Sequence, residues 1–175
     1  MGDVFGYVAK GDGAYINIDR PFSQAMSAGD VFSLDFGLNY DSGSGGNKGF
    51  SLRSADNREI VLVNQGASEV VTVNGAAAFT NYGVNTMYWT FTQVSATQVT
   101  VYATGRGGAE TFTATVRTNV ASSLANVHFY ASAITNDADA ELRQVYFDHL
   151  TLTQGASDTN LFRYAVENGR AIVTG

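Results

Sequence analysis

The chain contains no cysteine. That excludes a disulfide framework, a thiolate nucleophile and any cysteine-ligated zinc or iron–sulfur centre. Proline occurs once, at Pro21, so little in the sequence interrupts strand pairing. Charge is also scarce: Asp, Glu, Lys and Arg make up 15% of the residues, against about a quarter in ordinary soluble domains. The few basic side chains are scattered and outnumbered, leaving a net charge of −6. Nucleic acid needs clustered Lys and Arg against its phosphates, so it is excluded as a partner. No basic run is present to draw the chain to an acidic membrane surface. No apolar run approaches the roughly 18 residues of a spanning helix, so no membrane insertion is expected. Met1-Gly2-Asp3 does not open a signal peptide.

What is present is strand-forming. Hydrophobic residues reach 45% and the chain has 19 glycines; no segment keeps a helical period beyond a turn or two. The stretch Met87 to Thr104 reads as two strands joined at Ser95-Ala96-Thr97. Alternation puts Trp89, Phe91, Val99, Val101 and Ala103 on one face. Tyr88, Thr90, Thr92, Thr100, Tyr102 and Thr104 take the other. Pairing Val94 with Gln98 sets Thr90 opposite Tyr102, with Tyr88 as its diagonal neighbour.

Phe32, Leu34, Phe36 and Leu38 alternate in the same way, as do Phe112, Ala114 and Val116. Val4 to Ile18 reads as a hairpin turning at Gly11-Asp12-Gly13. Ala76 to Thr86 reads as irregular, and Arg117 to Ala125 as holding one helical turn. Ten to twelve short strands at this spacing predict an all-β fold. It is a two-sheet antiparallel β-sandwich of jelly-roll type over residues 1–153. Residues 154–160 read as a linker, and 161–175 as a C-terminal β-hairpin around Asn168-Gly169 or the start of a following domain.

Four stretches carry a resemblance: Phe32-Ser-Leu-Asp-Phe, Gly49-Phe-Ser-Leu-Arg-Ser, the Tyr88-to-Thr104 hairpin, and Val145-Tyr-Phe-Asp-His-Leu-Thr-Leu-Thr. Together they resemble the accessory jelly rolls of bacterial extracellular proteins, concanavalin-like or galactose-binding-like, many of them carbohydrate-binding modules. The tail from Phe162 to Gly175 resembles the opening of a BspA-type leucine-rich repeat. The resemblance implies a secreted or cell-surface bacterial protein with a lectin-like role. It also implies structural calcium through Asp148, with Asp3, Asp12 and Asp19 near the N-terminus to complete the shell.

Sugars are held by aromatic faces against their C–H surfaces and by planar polar groups on their hydroxyls. Tyr88, Tyr102, Asp35, Arg53, His128 and Tyr130 supply both, and alternation points them the same way if their strands share a sheet. This face is read as a polysaccharide or glycan site; self-association and a plain solvated surface stay open beside it. Trp89 reads as core, with a sugar platform left open; Tyr40, Phe79 and Tyr82 read as loop aromatics at a second binding rim, or Phe79 as a plug at one end of the core. No pair among Glu59, Glu69, Glu110, Glu141 and Glu167 has glycosidase spacing, and no motif flanks His128 or His149. The expectation is therefore a carbohydrate-binding module and not an enzyme. The alternative is a structural or adhesive module that forms homo-oligomers by strand addition through the C-terminal hairpin.

Overall fold

The computed structural model describes residues 5–7, 14–38, 47–66, 70–80, 85–132 and 145–155. In chain order the strands are β1 (Phe5–Tyr7), β2 (Tyr15–Pro21), β3 (Val31–Leu38), β4 (Asn47–Ser54), β5 (Glu59–Gln65) and β6 (Val71–Val73). They continue as β7 (Ala76–Phe79), β8 (Asn85–Ser95), β9 (Gln98–Gly105), β10 (Glu110–Arg117), β11 (Leu124–Ser132) and β12 (Val145–Thr153). A first sheet has the order β1-β12-β3-β8-β9-β10 and a second the order β2-β11-β4-β5-β6-β7. Every pairing is antiparallel. The two closing strands, β11 and β12, insert beside early strands of opposite sheets. This is the jelly-roll sandwich that the alternation predicts.

The core is the sum of the inward positions. Trp89, Phe91, Val101 and Ala103 are fully buried, facing Phe50, Leu52, Val61 and Val63 of the other sheet. Phe50 meets both Trp89 and Phe91 edge-on, with ring centroids 5.9 and 5.8 Å apart. Each such side chain contributes about 1.5–3 kcal/mol by leaving water. Phe79 closes this cluster against Trp89, as its plug reading requires. Thr90 does pair with Tyr102, but a bulge between Gln93 and Ser95 replaces the expected Val94–Gln98 pair with Ser95–Gln98.

Three local expectations change. The N-terminal hairpin is not formed, because β1 pairs with β12 in one sheet and β2 with β11 in the other. A lone two-stranded ribbon is barely stable, and each strand joins a six-stranded sheet instead. Ala76–Phe79, read as irregular, is strand β7, turned back on β6 at Asn74-Gly75 with both residues at positive φ (47° and 82°). Between β10 and β11 there is no helical turn. Thr118 N–H donates to Thr97 O and Ser122 N–H to Ala96 O, tying that segment to the β8–β9 turn. The predicted linker falls mostly, and the predicted hairpin and repeat-like tail wholly, outside the described residues.

Candidate functional site

The six residues expected to share a face divide between two. Tyr88, Tyr102 and Asp35 lie on the outer face of the first sheet. Arg53, His128 and Tyr130 lie on the outer face of the second, across the core. Alternation turned each of these six outward correctly; which strands share a sheet was not in the alternation.

On the second sheet the register builds a grid. Asn17, Tyr130, Gly49 and Asn64 form one row across β2, β11, β4 and β5. Asp19, His128, Ser51 and Leu62 form the next, and Asn126 with Arg53 the one after. Tyr15 starts the grid, 73% exposed, beside Ser132 and Asn47. Successive rows stand about 7 Å apart along the strands. Above them is an open cleft of about 450 Å³, lined by Tyr15, Asn17, Arg53, Glu59, Asn64, His128 and Tyr130 among others.

His128 is the most enclosed of these, 7% exposed. Its Nδ1 lies 2.7 Å from Asp19 Oδ1. With the proton on Nδ1 donated to that carboxylate, Nε2 keeps its lone pair. The ring lies nearly parallel to that of Tyr130, two residues on along β11. The Tyr130 hydroxyl donates to Asn64 Oδ1 at 2.7 Å and approaches Val63 O at 3.3 Å. Burial, with the Glu59 charge adding to it, holds this phenol well above its ordinary pKa, so it stays protonated. Arg53 donates from Nε to Ser51 Oγ at 3.1 Å and from Nη1 to Asn57 Oδ1 at 3.3 Å; Asp19 Oδ1 is 4.0 Å from Nη1. Sequence reasoning missed Tyr15, Asn17 and Asn64 here. All three are outward residues in short alternating runs, and only the strand order brings them beside His128.

Gly49 sits beneath the cleft and is required there. A Cβ would strike the Val63 carbonyl oxygen and come within 2.9 Å of the Tyr130 hydroxyl. The close approach of β4 to β5 leaves no room for a side chain.

Of the residues implied for calcium, Asp148 and Asp19 do not come together. Asp148 is on β12 and Asp19 on β2, in different sheets, while Asp3 and Asp12 lie outside the described residues. Among the described residues no three His, Asp or Glu side chains are arranged to hold a metal. Asp19 is engaged with His128, and Asp148 with His149.

Comparison with known proteins yields likeness of fold. No family model matches the chain, and no curated protein matches it in sequence. Among solved structures it is similar to SCP-B, a member of the eqolisin family of peptidases, with a TM-score of 0.53 at 12% identity over 81% of this chain and 80% of that one. It is equally similar to the alginate lyase AlgAT5 of polysaccharide lyase family 7, at 0.53 and 14% identity over 86% and 76%. A polysaccharide lyase of family 18 follows at 0.51 and 11%, over 86% and 87%. The fold is a jelly roll that enzymes use.

This overturns the expectation that the chain is not an enzyme. Its ground was the absence of recognised motifs, and peptidases and lyases share this fold over about four-fifths of its length. No comparison supports a leucine-rich repeat or assigns a carbohydrate-binding-module family. No helix among the described residues is long and apolar enough to cross a membrane.

Proposed function

We propose that the outer face of the second sheet recognises a polysaccharide, outside the cell or at its surface. The observation that carries this reading is the cleft itself. An exposed tyrosine stands at one end, amide side chains follow, and an arginine and a histidine lie at the other. Tyr15 offers a ring face to sugar C–H groups; Asn17, Asn64 and Arg53 offer planar hydrogen-bonding groups to hydroxyls and carboxylates. Its volume lies in the range of ordinary ligand sites, and it is open along the strands, which suits a polymer rather than an enclosed small molecule. The alginate-lyase neighbours make an acidic polysaccharide the first candidate.

Binding to a panel of polysaccharides that includes alginate tests it. Tyr15→Ala and Arg53→Ala should each weaken binding about fivefold or more, for a loss near 1 kcal/mol, with melting temperature unchanged. Binding to none of the panel, or equal binding by both variants, refutes the reading.

A second reading, that the cleft also cleaves the polymer, is favoured by the Asp19–His128 contact. In a uronate chain, His128 Nε2 can take the proton next to the carboxylate while Arg53 holds that carboxylate. The released electron pair forms a C=C bond as the neighbouring C–O bond breaks. The departing oxygen takes its proton from solvent water in the open cleft. Growth of ultraviolet absorbance from the unsaturated product, lost in His128→Ala, supports it. Binding with no product leaves recognition alone.

A further inference from the structure

The rows beneath the cleft differ in charge, and the difference narrows the ligand. We propose that the cleft selects a heteropolysaccharide in which neutral sugars separate one uronate from the next, and that Arg53 and Glu59 set this preference. The inference rests on polysaccharide recognition by this cleft and names the class of polymer.

Among the described residues, no lysine or arginine other than Arg53 lines the cleft. Lys48, on the same strand, alternates with Phe50 toward the core and is 1% exposed. The His128–Asp19 pair carries no net positive charge in either protonation state of the ring. The Arg53 side chain is held from one side and is 20% exposed. Nε donates to Ser51 and Nη1 to Asn57, while Nη2 bonds to no other described residue. That leaves one nitrogen of the guanidinium for a ligand, enough for a single carboxylate.

Carboxylates flank this cation on both sides. Glu59 is its cross-strand partner on β5, and Asp19 Oδ1 is 4.0 Å from Nη1. A second acidic group beside the first would meet one or the other, and like charges at such positions repel. The two rows at the far end are uncharged. One holds Tyr15, Ser132 and Asn47, the other Asn17, Tyr130 and Asn64. A carboxylate laid over them gives up water and gains no cation in exchange. The charge of Glu59 is also felt there: after burial, it is what holds the Tyr130 phenol protonated.

Four rows about 7 Å apart give the cleft a length of roughly 20 Å. It has room for several sugars and a place for one carboxylate, at the Arg53 end. A polyuronate such as alginate carries a carboxylate on every sugar, so most of them fall where no cation faces them. A polymer with spaced uronates puts one on Arg53 and lays neutral rings on Tyr15, Asn17 and Asn64.

Calorimetric titration with oligosaccharides of matched length tests this. The probes are fragments of gellan, in which neutral sugars separate the glucuronates; the same fragments with their carboxyl groups reduced to alcohols; and fragments of alginate. The gellan fragment should bind most tightly, and each of the others about tenfold less well. Arg53→Ala should lower the gellan affinity to that of the reduced fragment. Glu59→Gln should raise the alginate affinity about threefold. Asp35→Asn, the same change of charge across the core, should not. Far-ultraviolet circular dichroism confirms that each variant is folded. Three outcomes overturn the inference and leave polysaccharide recognition standing: alginate bound as well as gellan or better, reduced and native gellan bound equally, or equal effects of Glu59→Gln and Asp35→Asn. Binding of none of the three probes removes the recognition itself, and this preference with it.

Discussion

Adding one methyl group at Gly49 tests how the cleft is supported. In Gly49→Ala the new Cβ strikes the Val63 carbonyl oxygen and crowds the Tyr130 hydroxyl at 2.9 Å. Both obstacles are firm. Val63 O belongs to the β4–β5 ladder, and Tyr130 is fixed by its bond to Asn64. Overpacking of this kind costs about 1–3 kcal/mol. Displacing the Tyr130 hydroxyl from Asn64 adds about 1 kcal/mol. The expected loss is thus roughly 2–4 kcal/mol, a large part of the stability of an ordinary domain. Urea unfolding with an unchanged m-value should show it as a midpoint shift of about 1–2 M.

A double-mutant cycle makes the prediction specific. Tyr130→Phe removes the crowded oxygen, so Gly49→Ala should cost about 1 kcal/mol less in that background. A Gly49→Ala variant within about 0.5 kcal/mol of the parent refutes the claim that β4 and β5 approach too closely for a side chain. A full loss with no coupling to Tyr130 retains the ladder clash and refutes the link to the cleft.

Tyr130 also predicts an alkaline effect. Burial and Glu59 raise its pKa above the ordinary 10.0 in the folded state. The stability this group contributes is therefore complete below pH 10 and is lost as pH rises from there toward the folded value. Tyr130→Phe should flatten the alkaline limb of the stability curve by up to about 1.4 kcal/mol per pH unit. Parallel limbs would refute the assignment. Trp89 is fully buried, and its indole N–H has no hydrogen-bond acceptor among the described residues. Trp89→Phe leaves a small cavity but removes that orphan donor, so it should cost about 1–2 kcal/mol, against about 3–5 for Trp89→Ala. Equal costs in chemical denaturation would show that the N–H carries no penalty.

Much of the fold was legible because strand alternation is a local property. Phe32, Leu34, Phe36, Trp89, Phe91, Val99 and Val101 are inward by period alone, and all are buried. The exposed Tyr88 and Tyr102 follow from the same period. Leu150 and Leu152 are inward by chemistry, yet strict alternation would then turn Asp148 inward as well. A bulge between Asp148 and Thr151 resolves that conflict, and no residue type announces it. Lys48 shows the opposite failure. A lysine alternating with Phe50 and Leu52 is inward by period and outward by chemistry, and the period decides: it is 1% exposed.

The site was legible one residue at a time and not as a site. Arg53, His128 and Tyr130 were chosen for their chemistry, and the fold does gather them. Tyr88, Tyr102 and Asp35 were grouped with them and belong across the core. Tyr15, Asn17 and Asn64 were passed over because nothing near them in sequence marks them. Away from bulges, the chain by itself fixes which side of a strand is wet, since a side chain's face depends on its nearest neighbours in sequence. Only the tertiary structure decides which wet sides lie together, because the order of strands in a sheet rests on pairings between residues tens of positions apart. His128 reaches Asp19 across 109 positions, and no local pattern carries that distance.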